Sequence, residues 1–126
     1  GGQSSDPPVA VQATVRALSD GEVVLLGPMG LGGTVTLGPC ACLEVQGVRV
    51  GVSTRKTQVL DRELFRFLGI EPEQMRVLVL KSSVHFRADF APIASTILVA
   101  KAPGPMAADP GDLPWTRLPP TMALRP

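Results

Sequence analysis

The chain has one histidine, two cysteines and one tryptophan in 126 residues, and no excess of charge of either sign. Each shortage excludes something. Lys and Arg total 12 against 11 Asp and Glu, a formal net charge of +1. No partner held by bulk charge is expected, neither nucleic acid nor an acidic membrane. No apolar run approaches the ~18 residues of a membrane span, and no signal-peptide pattern opens the chain. A cytoplasmic location is the expectation. Cys40 and Cys42 stand two apart in "GPCACLEV". On a strand they share a face, where a mutual disulfide would be strained. Two thiols cannot close a zinc site, and no H-E-x-x-H occurs. They read as small, semi-buried residues in a reducing compartment. The first residue is Gly1 and not Met, which reads as a processed or partial chain.

Hydrophobic residues make up 44% of the sequence, enough for the core of one domain. "VAVQATVRA" alternates apolar and polar residues, the pattern of a half-buried strand. "SDG" then turns the chain into "EVVLLG", so a hairpin is expected. "GPMGLGG" reads as a mobile connection or a glycine-lined contact. A nucleotide loop is disfavoured, since no Gly-Lys-Ser/Thr is present and β-rich "TVTLG" follows. "CACLEV", the "QG" turn and "VRVGVS" make a further strand pair. The period then changes. Leu60, Leu64, Phe67 and Leu68 recur at helical spacing, with Gly69 as C-terminal cap and Thr54 or Thr57 as N-terminal cap. "RVLVL" is a continuous apolar run, as expected of a strand covered on both faces. A second helix with Phe86, Phe90, Ile93 and Ala94 on one stripe follows, then "STILVAK" as another strand. The fold class is therefore mixed α/β: antiparallel β-hairpins in the first half, then a βαβαβ unit with locally parallel strands. Residues 1–102 form this domain, and residues 103–126 form a proline-rich arm that Trp115 would anchor.

Two corners carry the candidate chemistry. "STRKTQ" (53–58) and "KSSVHFR" (81–87) each follow a predicted strand. In a parallel pair both lie at the carboxyl edge of the sheet, where such folds bind ligands. A helix N-terminus capped by Ser82 or Ser83 would favour an anion, with Arg55, Lys56, Lys81 and Arg87 adding charge. The plainer alternative is that the serines cap the helix and the cations face solvent. His85 and Asp89 stand at i and i+4, so the carboxylate could orient the imidazole. A Ser82–His85–Asp89 triad is disfavoured, since no G-x-S-x-G elbow is present.

These stretches also carry a resemblance. The chain from "GPMGLGG" through "STRKTQ" to "KSSVHFRADFAPIA" resembles the C-terminal domain of the MlrC (microcystinase C-like) zinc metallopeptidases. The long run at residues 81–94 is its most distinctive part, and the similarity spans about Gly1 to Leu118. The resemblance implies a two-domain enzyme that hydrolyses peptide bonds of linear or linearised peptides. Zinc would be held by an N-terminal domain of the same polypeptide and not by this chain, which would be inactive alone and carry no catalytic residue. Its part would be to line the cleft and contact the peptide substrate through Arg55, Thr57, Gln58, Lys81, Ser82, Ser83, His85 and Arg87. The ending "RLPPTMALRP" departs from the family's arginine-rich "RP-W-PLD"-like tail. The competing reading is a non-enzymatic α/β module that binds a small anion or a protein partner through the same corners. Homo-oligomerisation is left open by both.

Overall fold

The computed structural model describes residues 7–82, 84–100 and 109–123. The chain divides into two units, one of residues 10–97 and one formed by the two chain ends. In the larger unit five strands precede two short helices. They are β1 (Thr14–Ser19), β2 (Glu22–Val24), β3 (Thr34–Thr36), β4 (Cys40–Val45) and β5 (Val48–Ser53), then α1 (Glu63–Arg66) and α2 (Arg87–Phe90). They build a mixed architecture of antiparallel sheets with few helical residues.

β4 and β5 form the hairpin that the sequence predicts. Gln46 and Gly47 both take left-handed backbone angles (φ 51° and 82°), as a two-residue turn of this kind requires. The register runs from Val45 opposite Val48 to Cys40 opposite Ser53. The "SDG" stretch behaves differently from the expectation. It is a corner between two sheets and not a hairpin. β1 pairs with β4 and β2 pairs with β3, giving sheets of order β1–β4–β5 and β2–β3. The alternation of β1 and β2 was legible, but alternation names no partner.

The core lies under one face of the three-stranded sheet. Cys40, Cys42 and Ala17 point there, and they pack with Val23, Leu25 and Leu37 against Leu64, Leu68 and Ile70. Both cysteines are free and fully buried. Loss of hydration pushes the Cys40 thiol above its ordinary value. The helical stripe is real but the helix is short. Leu64 in α1 and Leu68 in the turn just after it are both buried. Gly69 (φ 71°) closes it, with the Ile70 N–H bonded back to the Phe65 carbonyl. The expected threonine cap is replaced. Asp61 Oδ1 accepts the Glu63 N–H at 2.9 Å, while the Thr54 hydroxyl donates to the Pro39 carbonyl at 2.7 Å.

The expected βαβαβ unit is not present among the described residues. Residues 76–80 ("RVLVL") and 95–100 carry no strand ladder, and Lys101 lies outside the described residues. Val77 and Val79 are exposed, although an apolar run of this kind reads as a doubly covered strand. A ladder needs a neighbouring edge, and hydropathy alone cannot supply one. In the smaller unit, a 3-10 turn at Pro110–Asp112 is closed by Asp109, which accepts the Gly111 N–H at 2.8 Å. Trp115 Nε1 donates to the Pro110 carbonyl at 2.6 Å.

Substitution at Leu68 and at Val50 separates the two faces of the sheet. Leu68→Ala is expected to lower unfolding free energy by about 2–5 kcal/mol. Val50→Ala, on the uncovered face, is expected to cost less than about 1 kcal/mol. Urea denaturation of the two variants checks the difference.

Candidate functional site

The site rests on two buried carboxylates. Asp61 is 1% exposed and Asp89 3%. Asp61 Oδ2 accepts the Gly27 N–H at 2.7 Å, so the glycine loop is tied to the start of α1. Asp89 Oδ2 accepts the Arg62 N–H at 2.7 Å, and its Oδ1 takes the Arg62 guanidinium at 2.9–3.0 Å. A buried ion pair stands only when its hydrogen bonds are also satisfied. Here no described buried side-chain polar atom lacks a partner. Gly27 sits between both carboxylates. A Cβ there would lie 2.8 Å from Asp89 Oδ2 and 2.9 Å from Asp61 Oδ2. Gly30 faces Leu25 and Asp61 in the same way. "GPMGLGG" is thus a glycine-lined contact, one of the two readings its sequence allows.

An outer shell of charges holds Arg62. Its Nη1 pairs with Glu73 at 2.6 Å, and Arg66 pairs with Glu63 at 2.7 Å and also with Glu73. Asp89 is the first cause that keeps Arg62 charged. The Glu73 carboxyl is held below the ordinary carboxylate range, first by a backbone N–H and then by Arg66 and Arg62. Sequence reasoning missed this cluster. The available signal was an acidic residue directly before the α1 stripe, the position of a helix cap.

The clamp brings the two predicted corners together. Gln58 lies three residues before Asp61, and His85 four before Asp89. Gln58 Nε2 donates to Ser82 Oγ at 3.1 Å, and Gln58 Oε1 lies 3.0 Å from His85 Nδ1. With the amide oriented this way, His85 Nδ1 is the donor of this contact. The imidazole is exposed. Asp89 does not orient it, contrary to the i, i+4 expectation, because Arg62 occupies that carboxylate.

The helix-terminus anion site also differs from expectation. α2 has four residues and no side-chain cap, and the Ser82 hydroxyl is turned to Gln58. Ser83 lies outside the described residues. Lys81 and Thr57 border one open groove along β5. Arg87 stacks over the Phe86 ring at 5.3 Å, and Arg55 donates its backbone N–H to Leu37. The structure therefore joins Gln58, Ser82 and His85. It does not join Arg55 or Arg87 to them by any described hydrogen bond. Among the described residues no group of three or more His, Cys, Asp or Glu side chains could hold a metal ion.

The chain that carries the glycine loop, the two carboxylates and the Gln–His junction falls in a domain class defined by sequence. The family model described as MlrC C-terminus matches residues 1–117, and the chain belongs to that family. It is also 27% identical over 97 residues to Microcystinase C of Sphingomonas sp.. That alignment covers 77% of this chain and 18% of the relative. The chain thus spans about a fifth of that protein's length.

Two outcomes follow from the clamp. Gly27→Ala should lower stability by about 1–3 kcal/mol, since the new methyl must displace a held carboxylate; thermal and urea unfolding read this. Glu73 titrates below its unfolded value, so its contribution is present above the unfolded carboxylate pKa of about 4.3 and is lost as pH falls through the folded value. Arg66→Gln should move the Glu73 midpoint, followed by carboxyl carbon NMR, up toward the ordinary range. An unmoved midpoint would show that Arg66 does not act on it.

Proposed function

We propose that this chain is the C-terminal companion domain of an MlrC-like metallopeptidase acting on linear or linearised peptides in the cytoplasm. The family membership supports the placement, and the printed name of the relative suggests the reaction class. The single observation that carries the site reading is the Gln58–His85 contact at 3.0 Å, which joins the two corners that the sequence singles out. Hydrolytic chemistry is assigned to the rest of the polypeptide, with zinc in an N-terminal domain.

The part left to this chain is to bind and orient. His85 Nε2 accepts a hydrogen bond from a peptide N–H, and Gln58 holds the ring at the angle that allows it. The Ser82 hydroxyl keeps the Gln58 amide from rotating. Lys81 and Arg87 supply cationic charge for a peptide carboxylate, and Arg55 and Thr57 border the approach. A non-enzymatic module that binds a small anion would use the same cations, but would have no use for the Gln58–His85 pair.

Steady-state kinetics of the full-length protein on a linear peptide test the reading. His85→Ala should lower kcat/KM about 10- to 100-fold, the loss of one or two substrate hydrogen bonds at ~1.4 kcal/mol per factor of ten. Gln58→Leu should lower it by less, since it loosens the ring and keeps the imidazole. Unchanged kinetics in His85→Ala would remove the residue from the site.

A further inference from the structure

β5 is built inside out. Its sequence VRVGVS places Val48, Val50 and Val52 on one side and Arg49, Gly51 and Ser53 on the other. The polar side faces the core layer. Gly51 opposes Cys42, and a Cβ on Gly51 would touch Leu68 at 3.3 Å. The valines face outward. β1 and β4 add to the same outer face, with Val15 opposite Leu43 and Leu18 opposite Ala41. Val48 is 62% exposed, Val50 43% and Leu18 77%. An antiparallel sheet with a wetted face ordinarily carries polar residues there. This one carries aliphatic residues across all three strands.

The edge of β5 is also open. The hairpin closes on Val45–Val48 and continues to a bond from the Thr54 N–H to the Pro39 carbonyl. That phase turns the backbone groups of Arg49, Gly51 and Ser53 away from β4. Beside the edge runs a groove of about 1010 Å³ whose lining includes Leu64, Leu68, Val77 and Val79 as well as Thr57 and Lys81. The open edge runs along the six residues of β5, so an added strand could pair over that length. Such an apolar face and edge are an aggregation hazard unless they are covered.

We infer that the outer face of the β1–β4–β5 sheet, continued by the open edge of β5, is the surface on which the remainder of the same MlrC polypeptide docks. The occupant is an apolar layer with an extended segment at its margin. This rests on the reading above, that the domain is one part of a longer chain. The matched region is 18% of Microcystinase C, so about four-fifths of that relative lies outside it. A tethered segment of the same polypeptide meets the face at a far higher effective concentration than a second copy does. At one end the groove reaches Thr57 and Lys81, the neighbours of Gln58 and Ser82, so a segment docked there would lie beside the Gln58–His85 junction.

The test uses the full-length polypeptide with a photo-crosslinking residue, Val50→p-benzoylphenylalanine. Where that variant does not fold, Val48 on the same face takes the label. Mass spectrometry is expected to find the adduct on a residue of the same polypeptide outside these 126. An adduct to a second copy, an adduct to residues 109–123 of this domain, or no adduct at all overturns the inference. Peptide hydrolysis by the unlabelled protein is scored separately. An active enzyme with a misplaced adduct removes the docking surface alone. An inactive one with the expected adduct removes the peptidase reading alone.

Discussion

Everything that positions the candidate site passes through the two buried carboxylates Asp61 and Asp89. Neither can be buried alone, because an ionised carboxylate out of water costs several kcal/mol unless it is bonded. Asp61 is compensated by two backbone N–H groups, those of Gly27 and Glu63. Asp89 is compensated by the backbone and guanidinium of Arg62. The solution fixes three segments at once: the glycine loop, the start of α1 and the end of α2. It also explains the glycine at position 27, where a side chain would meet both carboxylates. The edge-to-face contact of Phe65 with Phe90, with ring centroids 6.0 Å apart, seals the same junction from the apolar side.

The Gln58–Ser82–His85 junction inherits its geometry from that clamp. Gln58 and His85 stand on the segments that lead into Asp61 and Asp89. No strand ladder joins the two segments among the described residues, so the clamp and the Gln58 amide are what hold the corners in register. A binding role for His85 then has a physical basis. The ring is exposed and its Nδ1 is engaged by Gln58. The clamp is internal to the domain, and the groove beside β5 reaches the two corners at Thr57 and Lys81.

Much of the local structure was legible in the sequence. The "QG" turn, the Leu64/Leu68 stripe and the Gly69 cap were read from residues whose physics is local. The corners at 53–58 and 81–87 were found from hydroxyl, cation and histidine content near apolar runs. What could not be read was pairing. The "SDG" stretch had the marks of a hairpin turn, but its flanking strands pair elsewhere, because alternation specifies a face and not a neighbour. Asp89 was assigned to His85 by spacing along one helix. The stronger partner, Arg62, comes from 27 positions away in sequence and was invisible to that argument. The hydropathy of "RVLVL" is that of a strand covered on both faces. Val77 and Val79 are instead exposed beside an open edge, so hydropathy recorded a need for cover that this chain's described residues do not meet.

The dependence of the junction on the clamp is tested most directly by NMR of His85. It is the chain's one histidine, so it gives a single imidazole signal. With the native clamp, ring nitrogen shifts should show a protonated, hydrogen-bonded Nδ1, and the ring should give through-space contacts to the Gln58 side chain. In Asp89→Asn the Arg62 pair is weakened while the side-chain volume is kept. The contacts to Gln58 should then fade and the shifts move toward those of a free imidazole. A His85 signal unchanged by Asp89→Asn, in a protein shown by Arg62 amide exchange to have lost the clamp, would contradict the account.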